Sequence, residues 1–316
     1  SGLLSSVPQS WSQGVIDMSH SSSSHQPLSR VSVVIPLYNR ADYIDQTLRS
    51  VLAQTQPVAE LIVVDDGSTD DGAARAAAFA EVTLLRHPGG VNKGQAASIN
   101  LGLQQASGEV IAVLDSDDYW HPQFIEKVLA RLNAADQPDL VYANGSAVAS
   151  DGRPLYPLFG AGHVEHNEAW RLLLDCYIAT PGLYLARRSL YQRVGVVDES
   201  LRAAQDHDML LRLAEQGRLA YVEQPLFYYR KHDDSISVRG QERRWRNGFV
   251  ILAKAAARYP YPPSVLRKRR AVLHYRLGQV LRQQGQWWQA ARHLAAALCL
   301  DPRRALAVAS GRERKP

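Results

Sequence analysis

Short apolar runs separated by segments of helical period leave this chain few folds to choose from. Val31-Ser32-Val33-Val34-Ile35-Pro36, Leu61-Ile62-Val63-Val64 and Val110-Ile111-Ala112-Val113-Leu114 lack in–out alternation, so they read as strands covered on both faces. Val82 to Leu85 is a shorter strand of the same set. Ile44, Leu48, Val51 and Leu52 recur on one helix face, and Asp70 to Ala80 is Ala-rich. Gln95 to Ala106 reads as a helix that Gly108 terminates, and Phe124, Val128 and Leu132 mark another. Strand alternating with helix predicts an α/β fold with a mainly parallel central sheet flanked by helices.

In such sheets ligands bind beyond the carboxyl ends of the strands. Three of those ends are polar here: Tyr38-Asn39, Asp65-Asp66 and Asp115-Ser116-Asp117-Asp118, and all three would meet in one crevice. Carboxylates this close repel, which raises at least one pKa unless a cation neutralises them. In an extended segment Asp115 and Asp117 share a face that Ser116 does not. Two hard oxygen donors there suit Mg²⁺ or Mn²⁺, with nucleotide phosphates filling the open positions. The plainer alternative is that the acids cap the next helix, with Pro122 in its first turn. No Gly-x-Gly-x-x-Gly comes after the first strand and no P-loop occurs, so phosphate would be handled by a metal and side chains.

A chain of 316 residues, 46% hydrophobic, can bury one substantial core and a smaller appendage. Cys176 and Cys299 are far apart, without metal spacing or a disulfide framework. No apolar run is long enough to span a bilayer, and the start has no basic segment leading into an apolar one. Residues 1–30, Ser-rich from Ser21 to Ser24, are expected to be disordered. The net charge of +5 sits late, at Arg239, Arg243, Arg244 and Arg246 and again at Arg267 to Arg270. No nucleic-acid motif accompanies it, so no nucleic-acid partner is expected and solvated helix faces are the plain reading. The expected place is the cytoplasm, with the basic helices able to rest on the inner face of an anionic membrane.

Val33-Val34-Ile35-Pro36-Leu37-Tyr38-Asn39, Val63-Val64-Asp65-Asp66-Gly67-Ser68-Thr69-Asp70, Asn92-Lys93-Gly94 and Leu114-Asp115-Ser116-Asp117-Asp118 occur in that order along the chain. Together they resemble family 2 glycosyltransferases, inverting enzymes of the GT-A (nucleotide-diphospho-sugar transferase) fold, over roughly residues 31 to 235. The resemblance implies that Pro36, Tyr38 and Asn39 line the nucleotide and that Asp66 accepts from its base. It places Asp115 and Asp117 in an Asp-x-Asp motif on ribose and metal, and Lys93 in a loop that closes near the donor. Thr180-Pro181-Gly182 and Val194-Gly195-Val196-Val197-Asp198-Glu199 resemble the acceptor-binding region. The family has Glu-Asp where this chain has Gln205-Asp206; Asp206 then matches the catalytic base, and Asp208 is the competing carboxylate. Tyr228-Tyr229-Arg230-Lys231-His232 resembles a closing motif whose His reaches the metal.

The implied reaction is metal-dependent (Mn²⁺ or Mg²⁺) inverting transfer from a nucleotide-diphosphate sugar, UDP favoured, to a hydroxyl acceptor. That acceptor would be a saccharide, a lipid-linked glycan or a protein, in surface polysaccharide or glycoconjugate synthesis. A nucleotide-sugar-binding scaffold without catalysis and a nucleotidyltransferase are the alternatives. The expected organisation is a transferase domain over 31–238, a helical extension over 239–310 and a basic tail over 311–316. Within the extension, 271–304 carries Gly278, Ala290, Ala297 and Pro302 at tetratricopeptide-like spacing. A single such hairpin cannot bury its own face, so it would pack on the transferase domain, a protein partner or a second copy. Trp287 and Trp288 are expected to be packing residues.

Overall fold

A computed structural model of the chain describes residues 26–232 and 240–304; the expectations for residues 1–25, Arg239 and the tail lie outside them. Strands β1 (Val31–Leu37), β2 (Glu60–Asp65), β3 (Val82–Arg86) and β4 (Val110–Val113) are parallel, in the order β3-β2-β1-β4. Every residue of β1 is buried, as its uninterrupted apolar run requires. Helices α1 (Ala41–Leu52), α2 (Gly72–Ala77) and α3 (Gln95–Gln105) connect the strands. On α1 the buried face is Ile44, Thr47, Leu48 and Val51, so Leu52 turns outward against expectation. Gly108 does not cap α3 in a left-handed turn. A Cβ there would stand 2.4 Å from Ser32 Oγ, so glycine permits the close pass over β1. Residues 28–30, expected to be disordered, are tied down: Leu28 exchanges two hydrogen bonds with the Asn133 amide (2.9 and 2.8 Å).

The second half continues the same sheet with β5 (Tyr119–Trp120), β6 (Leu140–Ala149), β7 (Pro154–Pro157), β8 (Tyr184–Arg187) and β9 (Leu219–Lys231). The nine strands run β3-β2-β1-β4-β8-β6-β9-β5, with β7 on β6. β8 is antiparallel to β4 and β6, and β5 to β9, so the parallel half passes into a mixed half. Helices α4 (Phe124–Leu132), α5 (Ala169–Leu174), α6 (Arg188–Val194) and α7 (Gln205–Gln216) complete this part.

Beyond residue 240 the chain is helical: α8 (Gln241–Arg258), α9 (Pro263–Gln283) and α10 (Trp287–Leu300). Ile251, Leu252 and Ala255 of α8 and Val265 and Leu273 of α9 join the core that contains the sheet. Leu277, Leu281 and Ala290 form a smaller core with Trp245 and Phe249 against it. α9 and α10 make a hairpin that turns at Gly285 (φ 77°). α10 buries only Ala290 and Ala297, seven residues apart. Trp287 and Trp288 therefore do not pack but are 67% and 89% exposed. No helix among the described residues is long and apolar enough to cross a membrane.

Candidate active site

The acids at the end of β4 are held by α1 and β9. The Asp118 N–H bonds back to Asp115 O (3.1 Å), so Asp115 to Asp118 form a turn, not the extended segment expected. The Thr47 hydroxyl of α1 donates to Asp118 O (2.8 Å) and lies 3.1 Å from Ser116 O. From β9, the Arg230 N–H donates to Asp118 Oδ1 (2.8 Å) and its Nε to Asp117 O (2.9 Å). Asp117 meets Arg40 Nε (3.0 Å) and His232 Nε2 (2.9 Å). Asp115 accepts from Gln95 Nε2 (2.7 Å) and Thr180 Oγ1 (3.0 Å). The capping alternative is not realised, because β5 intervenes and α4 has no side-chain cap.

Crowding of like charge sets the acidities. Burial, then the Asp117 charge, push the Asp115 carboxyl up to about 7; Asp206 adds to this, and Thr180 and Arg40 oppose it. Burial and both neighbours hold Asp118 well above the carboxylate range, and its buried Oδ2 has no hydrogen-bond partner. Burial would raise Asp117 too, but the His232 hydrogen bond and Arg40 outweigh it and leave Asp117 below the usual value.

Asp206 opens α7, and its Oδ1 accepts the His207 N–H (2.9 Å). Burial raises its pKa, while Arg244 of α8 pulls the other way. The Asp206 charge also acts on Asp115, so the head of α7 lies near the acid turn. Gln205 is buried; its Nε2 donates to Gln95 Oε1 (2.6 Å), and Gln95 in turn donates to Asp115. A carboxylate at 205 could not donate, so it would turn the Gln95 amide and aim its oxygen at Asp115. Asp208 lies two positions on, toward the opposite side of α7. It is fully buried among Arg212 (3.0 Å), Lys254 (3.0 Å) and Arg258 (3.6 Å). It is thus drawn into an ion-pair network with α8. Gly182 is buried where a Cβ would stand 2.6 Å from Phe227 Cε2, and its oxygen accepts from Trp120 Nε1 (2.8 Å).

The remaining strand ends converge as expected. Pro36 lies in β1 opposite Val64, and Tyr38 beyond it is 45% exposed. Asn39 adopts a left-handed φ of 50°, and its Oδ1 accepts the Thr69 N–H (2.7 Å), tying the ends of β1 and β2 together. Asp66 is buried and accepts from the backbone N–H groups of Lys93 (2.7 Å) and Gly94 (2.8 Å), so it fastens the loop before α3. The Lys93 residue itself is exposed.

Among the described residues no group of three or more His, Cys, Asp and Glu is arranged to hold an ion. Asp117 Oδ2 and His232 Nε2 nevertheless form an oxygen–nitrogen pair 2.9 Å apart, and Asp115 is near enough for the Asp117 charge to act on it. Such a partial set fits a hard divalent ion that takes its other oxygens from phosphate and water. Sequence reasoning missed Arg40, Gln95 and Arg244 as site residues, and it did not foresee the bond of Thr180 to Asp115. An acid cluster demands cations, but nothing in the linear chain says which of its many arginines provide them. By its neighbours in the chain Arg244 reads only as part of a solvated helix face.

A sheet whose parallel strand ends gather carboxylates, continued by antiparallel strands and an acid-headed helix, defines a nucleotide-diphospho-sugar transferase fold. The chain belongs to glycosyl transferase family 2, whose pattern matches residues 32–194. An uncharacterized glycosyltransferase of Rickettsia conorii is 28% identical over 216 residues, 66% of this chain. The aligned part spans only 35% of that relative's length. Staphylococcus aureus TarS (residues 1–349, with UDP-GlcNAc) superimposes with a TM-score of 0.66 at 20% identity, covering 88% of this chain and 83% of that one. The mannosyltransferase PcManGT of Pyrobaculum calidifontis, with GDP-Man and Mn²⁺, gives 0.58 at 22% identity, covering 89% and 79%.

Proposed function

We propose that the chain transfers a sugar from a nucleotide diphosphate to an acceptor hydroxyl with inversion, aided by Mn²⁺ or Mg²⁺. The observation that carries this reading is the hydrogen-bond chain from Gln205, next to Asp206, through Gln95 to Asp115, which supports base and acid turn acting on one substrate. Asp117, Asp115 and His232 would hold the ion, which when bound offsets the negative charge gained by the departing diphosphate. Tyr38, Asn39 and Asp66 would line the nucleotide, and Lys93 would face its phosphates. Asp206 takes the proton of the attacking hydroxyl as the anomeric C–O bond to phosphate breaks on the opposite side. Arg244 favours the ionised, basic form of Asp206. The structural neighbours, one with UDP-GlcNAc and one with GDP-Man and Mn²⁺, support a nucleotide-sugar donor and a metal without selecting the base. The favoured donor is a UDP-sugar, and the favoured role is in surface polysaccharide or glycoconjugate synthesis.

A melting panel of UDP- and GDP-sugars with and without Mn²⁺ tests this. A true donor at a hundredfold its Kd stabilises by about 2.7 kcal/mol, and EDTA should abolish both that shift and transfer. Transfer that persists in EDTA would defeat the metal assignment.

A further inference from the structure

The helical part of the chain has a charge pattern that sugar transfer does not use. From Arg243 to Leu300 there is no Asp or Glu, against twelve Lys and Arg, in a chain whose net charge is only +5. Four basic side chains from three helices converge on a cavity of about 590 Å³: Arg246 of α8, Arg270 and His274 of α9, and His293 of α10. Phe249 and Leu277 supply its apolar wall. Positions 270, 274 and 277 fall on one face of α9, so the helix itself aligns them. The two imidazoles meet at Nδ1 (2.9 Å), and Phe249 stands edge-on to His274 with ring centroids 4.8 Å apart. The carboxylate that meets this group is Glu242, paired with Arg246 (2.8 Å). Arg270 is exposed.

We propose that this cavity binds a phosphate ester, its oxygens among Arg246, Arg270, His274 and His293 and its carbon body against Phe249 and Leu277. Guanidinium forks and imidazole N–H groups arriving from three helices suit a tetrahedral oxyanion better than a point charge. The volume exceeds a bare phosphate, and the apolar wall gives the rest of the ester a place. A divalent cation between the two imidazoles would face Arg246 and Arg270, so the same charges disfavour it. Burial, then the facing His293 ring and Arg270, hold His274 below its ordinary pKa, and burial, then Arg246 and Arg292, do the same for His293. A phosphate among them would relieve that repulsion. The ester is either a soluble metabolite or a phospholipid headgroup.

The test titrates the full chain with inorganic phosphate and with glycerol 3-phosphate at constant ionic strength in chloride, following the ring signals of His274 and His293 by NMR. Both signals should move, and Arg270→Gln and His293→Gln should each weaken binding about tenfold, as loss of one charged hydrogen bond implies, with the melting temperature held. Sedimentation with phosphatidylglycerol vesicles, against phosphatidylcholine alone, then separates the sources. Vesicle binding lost in Arg270→Gln identifies a lipid headgroup; binding of the soluble ester alone identifies a metabolite. Unmoved ring signals, unchanged affinity in both variants, or rings that respond to Zn²⁺ in preference to phosphate would overturn the proposal.

Discussion

The crevice of the sheet and the helices after residue 240 treat charge in opposite ways. The crevice concentrates acids, three within Asp115 to Asp118, and borrows its cations from distant points: Arg40, Arg230 and Arg244. The helices concentrate cations and hold no acid from Arg243 to Leu300. The two meet along α7 and α8. Arg244 faces Asp206 at one end, while Lys254 and Arg258 face Asp208 and Glu215 further along. Charge segregated in the sequence is thus recombined in the fold. The helical part is not an appendage, because it sets the electrostatic surroundings of the base candidate.

The sharpest way to break this comparison is to neutralise the two α7 acids separately. Asp206→Asn should lower kcat by about 10²–10⁴, the usual worth of a general base, with donor affinity by calorimetry intact. Equal loss of donor affinity would put Asp206 among the binding groups instead. Asp208→Asn should do the reverse. Its partners Lys254 and Arg258 are partly solvated, so the loss falls at or below the low end of the roughly 3–5 kcal/mol for breaking a buried pair. Denaturant unfolding reads that loss, and the folded variant should keep its kcat within a few-fold. A collapse of kcat without loss of stability would return Asp208 to the chemistry. Arg244→Gln should act more gently. Without that cation Asp206 holds its proton to higher pH, so the acid limb of the rate profile should move upward. An unmoved limb would separate α8 from the base.

Much of the crevice was legible because strand ends are. β1, β2 and β4 are continuous apolar runs, and parallel packing brings the residues just past each run to one edge of the sheet. The polarity of Asn39, Asp66 and Asp115 therefore carried positional information. What sequence could not supply was direction. Asp115 and Asp117 were expected on one face of an extended segment, but the turn sends one to Gln95 and Thr180 and the other to Arg40 and His232. The α/β period in the second half predicts helices and strands but not that β8 and β5 run antiparallel, since pairing is decided by tertiary contact. Trp287 and Trp288 look like core residues by type, yet the face of α10 that meets α9 is made of Ala290 and Ala297.

The last effect bears on the crevice alone and concerns stability. With no metal bound, burial and the Asp117 charge push the Asp115 carboxyl up to about 7 in the folded chain, far above the ordinary carboxylate. Between those two values the folded protein keeps a proton that the unfolded chain has released. Stability is therefore fully present below the ordinary carboxylate pKa and is lost as pH rises toward 7, by up to about 1.4 kcal/mol per pH unit for this one group. Asp206 and Asp118 are raised as well and act in the same sense, whereas depressed Asp117 exerts its effect below this window. Asp115→Asn should consequently flatten the decline rather than remove it. Saturating Mn²⁺ should invert it, because an ion held by these carboxylates binds their ionised form and gains affinity as pH rises. A wild-type melting profile that is flat from pH 4 to 7 in EDTA would mean the acid turn is already neutralised by Arg40, Arg230 and His232. The contrast between an acid-rich crevice short of cations and helices rich in them would then lose its energetic basis.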